Sequence, residues 1–243
     1  MLLRCEDVAV TQRLASFSAQ VERGELIHLL GPNGAGKSSL LACIAGLLPA
    51  CGKIEFLDRP LNSWPGYALA RHRAWLTQQQ IPTATLPVWH YLHMHQNGGD
   101  EQRLMALCKI FQLENRLTRS LDRLSGGEWQ RVRLVAVFFQ LAQPQGQLLL
   151  LDEPLTGLDL AQQAAFDRYI LAQVEAGLTV IMSGHDLNHS LHHAQRVWLL
   201  KNGVLVHQGS ADEVLQPAML SAVYEIPFKR LCIEGQRILT TRF

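Results

Sequence analysis

Gly31-Pro-Asn-Gly-Ala-Gly-Lys37-Ser38 matches the phosphate-cradling pattern G-x-x-x-x-G-K-[ST] in full. The flanking residues fit it. Leu26–Leu30 reads as a short buried strand, and from Lys37 the run Ser-Ser-Leu-Leu-Ala-Cys-Ile-Ala reads as a helix that fades at Gly46. Glycines at 34 and 36 let backbone N–H groups turn inward toward phosphate oxygens without a Cβ in the way. The helix N-terminus adds positive potential. Lys37 supplies a point charge for β- and γ-phosphates, and the Ser38 hydroxyl can join a Mg²⁺ shell. The expected nucleotide-binding residues of this turn are Gly31, Pro32, Asn33, Gly34, Ala35, Gly36, Lys37, Ser38 and Ser39.

Outward from this turn, strand-like and helix-like segments alternate, the pattern of a mostly parallel sheet flanked by helices. Leu148–Leu151 and Leu178–Ser183 read as buried strands, with Ala161–Val174 as the helix between them. Asp100–Leu117 places Leu104, Leu107, Cys108 and Phe111 at helical spacing, and Gly126–Leu141 opens another helix. Residues from about Pro82 to Gln143 are expected to form a mainly helical insertion within a single domain spanning 1–243. Asn202-Gly203, between Leu199-Leu200 and Val204-Leu205-Val206, is a hairpin signal, and Glu234-Gly235 is a second candidate.

Composition narrows the function. A net charge of +1 and a pI near 7.8 lack the basic footprint of a nucleic-acid binder. Apolar runs fall well short of the roughly 20 residues that span a bilayer, so a membrane role has to come through a partner. Met1–Ala9 carries Arg4, Glu6 and Asp7 and has no signal-peptide core. The five cysteines are scattered with no Cys-x-x-Cys pair, which favours a reducing cytosol over a disulfide framework or a structural metal.

A second chemical cluster follows from Leu148-Leu-Leu-Leu-Asp152-Glu153, an apolar strand delivering two carboxylates at its C-terminal end, where parallel sheets bind ligands. Asp152 is expected to hold Mg²⁺, directly or through water, and Glu153 to polarise the attacking water as general base. His185 follows the strand Leu178–Ser183 and is expected to touch the γ-phosphate. Gln78, after Trp75-Leu76-Thr77, is a further candidate for Mg²⁺ or water, with Gln79 and Gln80 leaving the register open. Leu124-Ser125-Gly126-Gly127-Glu128 makes another glycine-lined helix N-terminus suited to an anion.

The order of these motifs resembles the ATP-binding cassette family along nearly the whole chain. The matching positions are the P-loop at 31–38, the Q-loop at Gln78, the signature at 124–128 and the Walker B strand at 148–153. The D-loop Thr156-Gly-Leu-Asp159 and the switch His185 follow in the family's order. The resemblance implies an α/β P-loop NTPase with a mostly parallel core sheet, a small antiparallel β subdomain and a helical subdomain. It further implies MgATP as substrate and a head-to-tail homodimer, each ATP lying between one P-loop and the partner's Ser125, Gly126 and Gly127. Asp159 would then communicate across the interface.

The sequence departs from the family twice. Residues 1–16 hold no aromatic to stack on adenine, leaving Arg13 as a guanidinium substitute, and Glu128 replaces the usual signature glutamine. A narrower resemblance, to the ATPase subunits of bacterial vitamin B12 importers, rests on five stretches. They are Gln78-Gln-Gln80 with Pro87-Val-Trp-His-Tyr-Leu92, Glu128-Trp-Gln-Arg-Val-Arg133, Gln147-Leu-Leu-Leu-Leu-Asp-Glu-Pro154, Asp159-Leu-Ala-Gln-Gln163 and His185-Asp-Leu-Asn-His189. It implies two copies of a polytopic permease, a periplasmic substrate-binding protein as indirect partner, and a peripheral place on the cytoplasmic face of the inner membrane. The alternative is the ATPase of a haem or iron-siderophore importer, which shares fold and mechanism. A soluble cassette ATPase of the chromosome-maintenance type would need a coiled coil that the P-loop-to-signature segment is too short to hold.

Overall fold

The computed structural model describes residues 1–78, 85–96 and 100–241. Gln79, Gln80 and Pro82, on which part of the Q-loop and insertion reading rests, lie outside the described residues. The chain divides into two compact units, Met1–Ser63 with Ile181–Phe243, and Trp64–Val180. The division falls inside the fully buried strand Thr179–Ser183.

The first unit contains an antiparallel sheet in the order Leu14–Val21, Leu3–Val10, Cys51–Phe56, Arg59–Pro60. In Leu14–Val21 the residues Leu14, Phe17, Ala19 and Val21 face inward while Ser16, Ser18 and Gln20 face out, close to the two-residue period of a half-buried strand. A bulge at Asp7, with φ of 50°, shifts the register of Leu3–Val10 against both neighbours. Beside this sheet in the chain's order comes Leu26–Leu30, buried at every residue, which pairs in parallel with Arg196–Lys201. A strand buried on both faces carries continuous rather than alternating apolar residues. Arg196–Lys201 returns antiparallel into Val204–Ser210 through Asn202-Gly203, whose φ values of 49° and 78° are those of the expected hairpin turn.

Leu30, Val197, Leu199, Val214, Leu215 and Leu220 share one apolar core in this unit. The terminal hairpin Phe228–Ile233 with Gln236–Thr241 turns at Glu234-Gly235 as expected. The Asn188 amide anchors it by donating to the Leu239 carbonyl (3.0 Å) and accepting from the Leu239 N–H (2.7 Å).

In the second unit, Arg73–Leu76 pairs in parallel with Leu148–Leu151. The rest is mostly helical: Val88–Met94, Glu101–Ile110, Gly126–Leu141 and Leu160–Glu175. Gly126–Leu141 is buried over most of its length, and Phe138 gathers Phe111, Phe166 and Tyr169 around it. The helical spacing read over Asp100–Leu117 proves shorter than its pattern. Asp100 caps the helix by accepting from the Arg103 N–H (2.7 Å), but Gln112 enters the left-handed region at φ 54° and ends it. A 3₁₀ turn at Glu114–Arg116 follows. Among the described residues no helix is long and apolar enough to cross a membrane.

Candidate nucleotide site

Three glycines with positive φ shape the turn after Leu26–Leu30: Gly31 at 146°, Gly34 at 79° and Gly36 at 99°. Their surroundings differ. A Cβ on Gly31 would sit 2.2 Å from the Leu200 carbonyl oxygen, and one on Gly36 2.8 Å from that of Arg13. Around Gly34 nothing lies within 4 Å, so that glycine faces open space. Lys37 is buried, and its ammonium reaches back to donate to the carbonyls of Gly31 (2.8 Å) and Pro32 (3.1 Å). The helix Lys37–Ile44 has no side-chain cap and no acidic residue in its first turn. Its first N–H groups therefore have no carboxylate of that turn competing for them. Ser38 is exposed and Ser39 half-buried.

Beside this turn lies a cavity of about 570 Å³, bounded by Gly34, Thr11, Arg13, Leu14, Cys51 and Asn202 among others. Among the described residues Arg13 is the one guanidinium lining it, the place where the sequence offered no aromatic. In the same unit His185 is exposed, two residues beyond the buried strand Thr179–Ser183, and Asp186 after it caps Leu187–His193 by accepting from the His189 N–H (2.9 Å).

In the other unit Leu148–Leu151 delivers Asp152 and Glu153. Asp152 is 2% exposed, and its N–H extends the strand ladder to the Leu76 carbonyl (2.9 Å). Glu153 has φ 51°, a conformation that costs an ordinary residue about 1–2 kcal/mol. The turn is held by Gln130, buried, whose amide donates to the Pro154 carbonyl (2.8 Å). Gln130 in turn accepts from Arg133 (3.1 Å), and the other terminal nitrogen of Arg133 donates to the carbonyls of Thr77 (2.5 Å) and Gln78 (3.2 Å). Sequence reasoning quoted Gln130 and Arg133 only within a stretch of resemblance and gave them no role. They join the end of Arg73–Leu76, where Gln78 stands, to the turn carrying Glu153. Their spacing of three on a helix places both side chains on one face.

Ser125 caps Gly126–Leu141 in a capping box. Its hydroxyl accepts from the Glu128 N–H (3.3 Å), and the Glu128 carboxylate accepts from the Ser125 N–H (2.8 Å). The Glu128 carboxyl is pulled down to about 2, first by that Ser125 N–H, with Arg116 adding to it against the effect of burial. Gly127 lies against the D-loop, where a Cβ would come 2.6 Å from the Gly157 carbonyl oxygen. Asp159 caps Leu160–Glu175, accepting from the Gln162 N–H (2.8 Å). The structure thus brings Gly31–Ser39 together in one turn. In the other unit it links Gln78, the Asp152–Glu153 turn and the helix after Ser125–Gly127, with Gly127 against the loop that ends at Asp159.

Residues 14–156 match the family model described as ABC transporter. The chain belongs to the ABC transporter family. It is similar to the vitamin B12 import ATP-binding protein BtuD of Escherichia coli O45:K1 (strain S88 / ExPEC), with 49% identity over 98% of each chain. The same identity and coverage hold for the BtuD of E. coli O139:H28 (strain E24377A / ETEC). Among solved structures, an ATP-binding subunit of an ABC transporter matches at TM-score 0.81 and 26% identity, covering 93% of this chain and 98% of that one. A metal-chelate type ABC transporter in an inward-facing conformation matches at TM-score 0.79 and 20% identity, covering 100% and 98%, and shares the fold. The chain is accordingly an ATP-binding subunit of the P-loop NTPase fold class.

Proposed function

We propose that this chain hydrolyses ATP to power vitamin B12 uptake. It would act as a homodimer, as one nucleotide-binding domain of residues 1–243 with its helical subdomain near 82–143. It would dock two copies of a polytopic permease from the cytoplasmic face of the inner membrane, supplied by a periplasmic binding protein. The B12 assignment is supported by 49% identity across 98% of both chains to the BtuD proteins. The hydrolytic role is carried by one observation: a buried Asp152 and a left-handed Glu153 at the end of an all-leucine strand.

In this reading the Gly31–Ser39 turn holds the ATP phosphates. Lys37 exchanges the loop carbonyls it now contacts for phosphate oxygens, and Gly34 leaves its backbone N–H open to approach. The Ser38 hydroxyl, the Gln78 amide and the Asp152 carboxylate each offer an oxygen, a donor type that suits a hard cation, so these residues would hold Mg²⁺. When bound, Mg²⁺ neutralises phosphate charge. Glu153 orients and deprotonates the attacking water, and its constrained backbone fixes the carboxylate's direction. His185 donates to the γ-phosphate and registers its departure. The partner's Ser125–Gly127 turn caps the triphosphate, and Asp159 passes the closure between subunits.

The test is ATP turnover by the chain assembled with its permease, with and without B12-loaded binding protein. Stimulation is expected, and Glu153→Gln should lower kcat by about 10²–10⁴-fold while ATP binding persists. Stimulation by a haem- or siderophore-loaded binding protein, with none from B12, would reject the substrate. Full turnover by Glu153→Gln would remove Glu153 from its role.

A further inference from the structure

Glu128 puts a full negative charge in the turn that is read as facing a triphosphate. One carboxylate oxygen is committed to the Ser125 N–H. Acting as an N-terminal cap, the carboxylate occupies positive potential that a bound anion would otherwise use. The other oxygen accepts from the Arg116 Nε (2.5 Å) and the Arg119 guanidinium (3.4 Å). The Glu128 side chain is only 12% exposed, whereas those of Arg116 and Arg119 are 40% and 42% exposed. The carboxylate is therefore shielded behind two guanidiniums that keep a face toward solvent.

The segment bearing both arginines is held in place by backbone bonds. The Arg119 N–H donates to the Arg116 carbonyl (2.9 Å), and the Arg119 and Leu117 carbonyls accept from Val88 and Trp89 (2.9 Å each). With guanidiniums about two-fifths exposed, ion pairs of this kind are weakened by solvent and add about 1 kcal/mol or less each. A stabilising role alone gives little reason for two arginines to face one acid. An approaching polyanion supplies one, because uncompensated like charge acts over roughly the 8 Å of a Debye length.

We propose that Arg116 and Arg119 are positioning residues for the nucleotide, neutralising Glu128 so that a polyphosphate can approach the Ser125–Gly127 turn. The inference rests on the reading of that turn given above. It makes the arginines necessary only because residue 128 is a glutamate.

The experiment is a double-mutant cycle in the full chain assembled with its permease, reading KM for MgATP and kcat. Arg116→Ala with Arg119→Ala is expected to raise KM about tenfold, and raised salt should shrink the effect. Placed in a Glu128→Gln chain, the same pair should change KM by less than about twofold relative to Glu128→Gln alone. An equal rise in both backgrounds would mean that the arginines merely hold the turn, and no rise beside Glu128 would mean that they are surface residues. Either result overturns the proposal. Should the double variant fail to fold, Arg116→Lys and Arg119→Gln taken singly carry the same comparison at about threefold. Ser125→Arg separates the two levels of the argument. Loss of hydrolysis keeps the turn at the nucleotide whatever the arginines do, whereas unchanged hydrolysis removes the turn from the site and the proposal with it.

Discussion

Two glycine-bearing helix N-termini in this chain are built by different means. The Gly31–Lys37 turn is set by its own backbone: three positive-φ glycines, no side-chain cap, no acid in the first turn, and a lysine folded into its curve. The Ser125–Gly127 turn is an ordinary capped helix start with a capping box and an acid at its third position. Neither Gly126 nor Gly127 has a positive φ. Its special features are supplied from outside, by Gly157 lying against Gly127 and by two arginines over Glu128. A pre-shaped anion cradle can be read from a motif. What the surroundings add to an ordinary helix start cannot.

Methyl groups added at single glycines sharpen that contrast. Gly31→Ala should be the most damaging, about 4 kcal/mol, because its Cβ would lie 2.2 Å from the Leu200 carbonyl at φ 146°, where neither backbone can give. Denaturant unfolding of the complete chain measures it. Gly127→Ala has no backbone strain and only the 2.6 Å approach to the Gly157 carbonyl, so about 2 kcal/mol is expected, together with displacement of the D-loop. Gly34→Ala, with φ 79° and nothing within 4 Å, should cost about 1 kcal/mol and yet weaken nucleotide binding most relative to its stability loss. If Gly34→Ala destabilised the fold as much as Gly31→Ala, the Gly34 side of the loop would be packed rather than open.

The same contrast explains what the sequence made legible. Leu26–Leu30, the turn after it and the Asn202-Gly203 hairpin are local patterns, and all three stand where their residues placed them. Gly126–Leu141 also keeps its expected limits, because the Ser-x-x-Glu cap and an apolar run define both ends. The helix after Asp100 does not, since its apolar spacing continues past Gln112, where the backbone turns left-handed. The consequence of Glu128 was opaque from sequence. Its partners lie 12 and 9 residues earlier, on a short 3₁₀ turn and the loop after it, a spacing with no periodic signature. The left-handed Glu153 was equally hidden, because its strain is sustained by Gln130 and Pro154 rather than by glycine.

Acid should act on the two regions differently, and near neutral pH this gives the smallest effect. Glu128 is depressed from 4.5 to about 2, so what its ionised form adds to stability is present above about pH 4.5 and is lost only as pH falls toward 2. His28 lies in the strand that leads into the Gly31 turn and is lowered from 6.5 to about 3, first by burial and then by His189 and His193. Its Nδ1 lies 2.9 Å from the Ser190 hydroxyl, which itself donates to the Asp186 carbonyl (3.0 Å). The proton therefore sits on Nδ1, and Nε2 is buried with no hydrogen-bond partner among the described residues. Between pH 6.5 and 3 the unfolded chain binds a proton at His28 that the folded chain refuses, so stability is lost as pH falls, by up to about 1.4 kcal/mol per unit. His28→Leu should forfeit the Ser190 hydrogen bond, about 1 kcal/mol above pH 7, and should flatten the acid limb. Its unfolding free energy should then cross the parent's between about pH 6 and 5. Parallel curves for the two chains down to pH 4.5 would mean that His28 titrates alike in both states, and that acid enters this unit elsewhere than through the strand feeding its phosphate turn.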